Sequence, residues 1–262
     1  MAQIADRDAK LDAPSDFSLS KATVDDLPRI TQGFYTAFPS SFWDRKEPVE
    51  LRPSEAVRHE RFIRRIRPSF SHPRCHWLIV RHNPSDAIIG CAVWVAPGNP
   101  VHEFFRRDAV EFYGWRDQFD CSDEDLEELW SHVDDEAWNG HFAQTDAVRK
   151  EALGDEPHWF LASLYTLPEW QGKGVGKMLL NWGISQADAT DPVTPMYLET
   201  SAAGRPVYLR YGFVPLGESN MLRRGPVMVM DKEPGAGTDG ATAVTSVQPG
   251  VPRTETVHSS GK

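Results

Sequence analysis

The sequence predicts an α/β (α+β) fold, on three observations. Short β-rich runs alternate with amphipathic segments between residues 17 and 230. Two of these runs, 76–81 and 87–96, flank Asn83-Pro84-Ser85-Asp86, a strong turn signal that makes them a hairpin. A third run, 158–166, passes through Pro168 into a glycine-spaced loop and then a helix. A chain of 262 residues that is 40% hydrophobic has enough apolar material to bury a core around these elements.

In chain order, residues 17–22 alternate apolar and polar side chains and read as a strand. Thr23 then caps a helix reaching about Phe38, with Asp25 and Asp26 in its first turn. Ser54 caps a second helix, through Arg67, whose outer face carries Arg58, Arg61, Arg64, Arg65 and Arg67. The hairpin and the 158–166 strand follow. After them come a helix to about Asp188, a strand over 196–200 and a short helix over 204–211. Residues 213–216 and 226–230 are expected to close the sheet.

Charge marks a further division. The chain carries 28 basic and 38 acidic residues, a net −10. Residues 101–157 hold 17 acids and 5 bases, a net −12, interrupted by Phe104, Phe105, Phe112, Tyr113, Trp115, Trp130 and Trp138. Acidity broken by aromatics predicts a folded helical insertion and not an acidic tail. Its carboxylates are expected to pair with the arginine face of the second helix. Residues 231–262 contain no Leu, Ile, Phe, Trp, Tyr, Met or Cys and abound in Gly, Pro, Thr and Ser. Such a stretch buries too little surface to offset its ordering entropy. The expected organisation is a disordered 1–15, one domain over 16–231 with the insertion at 101–157, and a disordered tail over 232–262.

Composition narrows the function classes. No run approaches the roughly 18 apolar residues of a membrane span, and the charged N-terminus has no apolar secretory core, so no membrane partner is expected. A net acidic chain is a poor match for nucleic acid. Cys75, Cys91 and Cys121 are widely spaced and odd in number, which argues against disulfides or a thiolate metal site and fits a reducing compartment, cytoplasmic or nuclear. His72, His76 and His82 are close in sequence but straddle a strand and a turn without carboxylate partners, so no metal is expected there either.

The chemistry-bearing segment is Gln171-Gly172-Lys173-Gly174-Val175-Gly176-Lys177, at a strand-to-helix junction. Its glycines let backbone N–H groups converge without Cβ obstruction, and the helix N-terminus adds about half a positive charge, which together make an anion cradle suited to a pyrophosphate. A nucleoside-triphosphate loop of the Walker A kind fails twice, because Gln171 stands where its first glycine belongs and Met178 where its hydroxyl belongs. A dinucleotide fingerprint starting at Gly172 meets Lys177 in place of its third glycine.

The spacing that fits is Gln-x-x-Gly-x-Gly, at Gln171, Gly174 and Gly176, which resembles the acetyl-CoA loop of the GNAT superfamily of N-acetyltransferases. Downstream, Pro206-Val-Tyr208-Leu-Arg-Tyr-Gly212-Phe213 is similar to that family's Leu-Tyr-x-x-x-Gly-Phe signature, in the expected order. The likeness spans about residues 17–230. The wording around His158-Trp-Phe-Leu and Tyr197-Leu-Glu-Thr-Ser resembles the fungal small-molecule branch.

The resemblance implies a mixed, mostly antiparallel sheet flanked by helices, with acetyl-CoA as co-substrate and an amine of a small molecule as acceptor. It implies that Leu164, Tyr165 and Thr166 lend backbone groups to the pantetheine arm, while Gln171, Gly172, Lys173, Gly174, Val175, Gly176 and Lys177 hold the pyrophosphate. Tyr208 occupies the family's position for the acid that protonates the departing thiolate. Ser201 stands where many members have an asparagine touching the cofactor. For the general base Glu199 leads, with Glu156 and His158 as alternatives. Transfer to protein or peptide amines, transfer of a longer acyl chain, and a catalytically silent acyl-CoA-binding module remain the competing readings.

Overall fold

Residues 77–80 and 88–95 are apolar on both sides of the strand, so they require cover on both faces. The structure, a computed structural model, places them at the centre of a seven-stranded sheet and describes residues 16–226. The tails expected to be disordered lie outside the described residues. The order is β1 (Phe17–Lys21), β2 (Cys75–His82), β3 (Ala87–Val95), β4 (Trp159–Thr166), β5 (Met196–Glu199), β7 (Asn220–Arg223) and β6 (Val214–Pro215). Neighbouring strands are antiparallel except β4 and β5, which are parallel, so the mostly antiparallel sheet is as expected.

Helices cover both faces. On one lies α8 (Val175–Asp188), whose Leu179 and Leu180 pack with Trp94, Leu161, Met196, Leu198 and Phe213. The fit there is close. Trp94 Nε1 donates to Leu179 O at 3.2 Å, and a Cβ on Gly183 would stand 2.3 Å from the Trp94 ring. The other face carries α1 (Leu27–Ala37), α2 (Ser40–Lys46), α3 (Glu55–Ile66) and the insertion, around Phe34, Phe62, Trp77, Val93, Phe105, Trp138, Phe160 and Tyr197.

Local signals explain the helix boundaries. Thr23 N–H donates to Asp26 Oδ2 at 2.9 Å, a capping box ahead of α1, and Ser54 Oγ accepts from Val57 N–H at the start of α3. The insertion contains α4 (Ala109–Phe112), α5 (Trp115–Gln118), α6 (Asp123–Trp130) and α7 (His141–Leu153), the last entered through one π-helical turn, Glu136–Gly140. A second capping box, Ser122 with Asp125, starts α6, and Asp123, Glu124 and Asp125 in its first turn complement the helix dipole.

The expected pairing of the arginine face with the insertion is met in part. Arg64 binds Asp125 at 2.6 Å and Arg61 approaches Glu128 at 3.6 Å. Arg58 and Arg65 instead turn inward onto the fully buried Glu47, which also accepts from Tyr35 Oη at 3.2 Å. A buried carboxylate needs such partners, and these two arginines are taken from the surface to supply them.

Two elements differ from the sequence expectation. Helix α2 falls between the helices expected from Thr23 and from Ser54, in a stretch for which the sequence signals no element. The closing strand is β7 over 220–223, whereas 226–230 falls almost wholly outside the described residues. Polarity hid β7, since it begins at Asn220 opposite Glu199 and ends at Arg223. That arginine is 2% exposed, its charge met by Asp188 at 2.7 and 2.8 Å.

Gly183→Ala separates this packing from an ordinary helix substitution. Overpacking against Trp94 should destabilise the domain by about 1–3 kcal/mol in urea unfolding. A gain in stability, as for an exposed helical glycine, would show that α8 does not sit this close to β3.

Candidate active site

The site begins where β4 loses one neighbour. Strand β4 pairs with β3 along its length, from Phe160↔Val95 to Thr166↔Gly90, but with β5 only at Trp159↔Met196, Phe160↔Tyr197 and Leu161↔Leu198. A bulge at Val93/Trp94 lies where the second pairing stops. Bulges bend a strand and raise its twist, so β4 and β5 splay apart from Ala162 onward. Among the described residues no strand pairs with this half of β4 on the β5 side. The opened edge exposes backbone donors and acceptors of the kind an extended ligand can use.

Side chains along the edge are already committed. Leu164 packs with the α8-side core, and Tyr165 Oη donates to Ile30 O at 3.1 Å, its phenol pushed well above the usual range by burial. Thr166 O accepts from Gln171 Nε2 at 3.3 Å, which ties the strand end to the loop beyond it. These positions therefore offer main-chain groups to the cleft.

In that loop Gly172 and Gly174 have φ of +75° and +89°, a conformation L side chains rarely adopt. A Cβ at either would meet nothing within 4 Å, and one at Gly176 would meet Thr166 Oγ1 at 3.6 Å, an ordinary contact. Protein packing does not demand glycine at 176. The helix ladder starts with Met178 N–H donating to Gly174 O at 3.1 Å, so the amides of Val175, Gly176 and Lys177 form the first turn that has no intrahelical acceptor. The Val175 side chain is buried against Gly90, where a Cβ would stand 2.6 Å from Val175 Cγ1, so α8 begins directly on the sheet beside Thr166. Lys173 Nζ lies 4.5 Å from the Trp170 ring centroid. The residues present fit a pyrophosphate: open space, glycine dihedrals and converging amides at the positive end of a 14-residue helix.

Strand β5 and α9 (Arg205–Leu209) flank the opening on its other side. Tyr208 packs edge-on against Phe213, ring centroids 5.8 Å apart, and burial pushes its phenol up to about 12. Among the described residues its hydroxyl has no hydrogen-bond partner. Ser201 Oγ accepts from Gly204 N–H at 3.3 Å and so helps to shape the entry to α9. Glu199 ends β5, one turn of the pleat beyond Tyr197, which places it on the α7 side of the sheet. Burial raises its carboxyl to about 7, against the lowering effects of Arg149, a Thr145 hydrogen bond and Lys46.

The alternative bases stand elsewhere. Glu156 is held by both guanidinium nitrogens of Arg224 at 2.7 Å, which keeps its carboxyl below the usual range, and His158 contacts Glu156 O through Nδ1 at 2.7 Å. Both precede β4, at the end remote from the splay. His72, His76 and His82 enter three separate aromatic settings, beside Tyr113, Trp182 and Trp170. Among the described residues no group of three or more His, Cys, Asp or Glu side chains could hold a metal ion, and no helix is long and apolar enough to cross a membrane.

Sequence reasoning missed four charged residues around Glu199. Lys46 is 1% exposed, its ammonium 4.8 Å from the Phe142 ring centroid and bonded to Ala137 O at 2.8 Å, and burial lowers it to about 8. Burial likewise raises Glu103 to about 8. Asp146 and Arg149 pair at 2.7 Å on α7. Only this last pair, an i,i+3 acid and base on one helix face, had a local signal.

The model of the acetyltransferase (GNAT) family matches residues 36–213. Among solved structures, the chain is similar to a Corynebacterium glutamicum protein described as histone acetyltransferase HPA2 and related acetyltransferase, at 23% identity over 82% of this chain and 99% of that one, TM-score 0.50. It is also similar to a GNAT family acetyltransferase from Brucella melitensis in complex with acetyl-CoA, at 14% identity over 80% and 89%, TM-score 0.40. A third is the spermidine/spermine N-acetyltransferase SpeG from Vibrio cholerae, at 12% identity over 79% and 93%, TM-score 0.42.

The raised carboxyls have a consequence for stability. Between about pH 4.5 and about 7 folded Glu199 keeps a proton that the unfolded chain releases, so its contribution falls as pH rises through that window. Glu199→Gln should therefore flatten the decline of urea midpoint from pH 5 to pH 7. A decline as steep as in the unmodified protein would show that Glu199 ionises normally.

Proposed function

This chain belongs to the acetyltransferase (GNAT) family, and from that premise we propose that it moves an acetyl group from acetyl-CoA directly to an amine of a small molecule. The observation that carries the reading is the open edge of β4 at Leu164, Tyr165 and Thr166 leading into the amides of Gly172–Lys177 without a break. An extended pantetheine arm fits the first as an added strand, and the diphosphate fits the second. Gln171 braces the junction between them through Thr166 O. Lys173 and Lys177 add positive charge, and Ser201 lies across the opening with its hydroxyl proton available to donate.

Glu199 has the properties of the base. A carboxyl near 7 accepts a proton from an ammonium substrate at neutral pH and can pass it on to water. The freed amine nitrogen attacks the thioester carbonyl carbon, whose oxygen gathers charge beside the main-chain amides at the end of β4. As the C–S bond breaks, the nitrogen gives up its second proton to Glu199, which has by then passed the first to water, while Tyr208 donates its phenolic proton to the departing thiolate and recovers one from solvent. A phenol held near 12 arrives at this step protonated at any working pH. No enzyme-bound intermediate is needed, since the amine attacks the thioester itself.

Thiol release from acetyl-CoA, measured with spermidine, tyramine, glucosamine, aniline and lysine amide, tests the proposal. Release above the amine-free rate with at least one of them supports it. CoA binding without release on any of them would favour a silent acyl-CoA module.

Two variants probe the assigned parts. Tyr208→Phe should lower kcat about a hundredfold or more while CoA affinity holds, and unchanged turnover with an unchanged pH profile would remove Tyr208 from the mechanism. Gly176→Ala should keep or slightly raise the Tm, because helical alanine is favoured by roughly 0.5–1 kcal/mol, yet weaken CoA at least tenfold. Unaltered CoA affinity would show that the ligand does not approach this backbone.

A further inference from the structure

We propose that His132 and Arg61 form an acid-releasable latch: neutral His132 fastens the insertion to α3, and a second ring proton expels Arg61 and loosens the segment at the end of α6. The latch governs how the insertion seats and does not depend on the reaction chemistry.

Geometry sets the protonation state of the ring. His132, two residues past α6, is 0% exposed, and its Nδ1 lies 3.4 Å from Arg61 Nη1. A guanidinium has donors only, so Nδ1 presents its lone pair and the ring proton sits on Nε2. Nε2 faces Glu47 Oε1 at 3.8 Å, too far for a hydrogen bond, and is buried without a partner. Glu47 is already held by Arg58, Arg65 and Tyr35. An added proton therefore goes on Nδ1, where it points N–H at N–H and sets two cations against each other.

Arg61 is the grip of α3 on this part of the insertion. The same Nη1 donates to Ser131 Oγ at 3.1 Å, and Nη2 lies 3.6 Å from Glu128. The contacts on either side hold in acid. Before the segment, Arg64 and Asp125 pair at 2.6 Å, and hydrogen bonds from Ser122 and Arg64 keep the Asp125 carboxyl below its usual range. After it, Asp134 N–H donates to Lys46 O at 2.9 Å and Lys46 Nζ to Ala137 O at 2.8 Å. Acid thus loosens residues 128–133 between two fixed points. With them goes Trp130, whose ring packs on the Arg65 guanidinium and on Trp138.

The surrounding charge works in the same direction. Facing the ring are Arg58, Arg61 and Arg65 from α3 and Glu47 from the end of α2, three cations against one carboxylate. Glu128 of α6 reaches this group through Arg61. Burial first, then this cationic excess, holds the imidazole down to about 4 from the usual 6.5. The neutral ring's contribution is complete above about pH 6.5 and is lost as pH falls toward about 4.

Hydrogen exchange of the full-length protein, corrected for intrinsic rates, reads the latch at the amides of Ser131 and Val133, which bond to Glu128 O and Trp130 O. Their protection should fall about tenfold or more from pH 7 to pH 5. In His132→Asn, whose Oδ1 takes the place of Nδ1 as acceptor and does not titrate, it should stay nearly level. An equal fall in both proteins, or no fall in the unmodified one, overturns the latch. Spectra of ¹⁵N-histidine at pH 7 should show Nε2 protonated and Nδ1 bare, and a proton on Nδ1 overturns it directly. Should His132→Asn fail to fold, that tautomer and Arg61→Met decide the matter. With no cation facing Nδ1 the acid-dependent fall should shrink, and an undiminished fall would contradict the proposal.

Discussion

The structure depends on one asymmetry in hydrogen bonding. Strand β4 is bonded to β3 along its length but to β5 over only three residue pairs. An unpaired strand edge inside a folded domain leaves polar backbone groups that need partners, which a protein supplies with another strand, with water or with a ligand. Here the edge runs toward a helix whose first-turn amides are also without intrahelical acceptors. Two sets of unmet donors, meeting at Thr166 and Gln171, define a continuous binding track before any side-chain chemistry is considered.

The insertion answers a different constraint, the burial of charge. A segment of net −12 does not fold against a core unless its carboxylates are capped, paired or left in water. All three occur: Ser122 and Asp125 cap α6, Arg64 and Arg106 take up Asp125 and Asp146, and Glu124 and Glu151 remain on the surface. Its aromatic residues, Phe105, Trp130 and Trp138 among them, then join the core shared with α1 and α3. Glu47 shows the same rule from the other side, since its fully buried carboxylate is held by Arg58, Arg65 and Tyr35.

Most strands and helices were legible because their signals are local. The hairpin turn at Asn83-Pro84, the caps at Thr23 and Ser54, and the strand-loop-helix at Gln171–Gly176 each need only a few neighbouring residues. Strand β7 was missed because Asn220 and Arg223 look exposed in sequence, and only the fold reveals that Asp188 neutralises the arginine. The same limit applies to the site. Tyr208 and Glu199 could be picked out by motif and by position at a strand end. Lys46, Glu103 and Arg149 bear on the Glu199 carboxyl through their charges from positions 153, 96 and 50 residues away in sequence, and no local pattern encodes that convergence.

Backbone hydrogen exchange in the presence of CoA tests the central claim most directly, because the claim concerns main-chain amides. Saturating CoA should slow exchange at Leu164–Thr166 and Gly172–Lys177 together, with little change in β1 or β2. Unaltered exchange in both segments at millimolar CoA would contradict it.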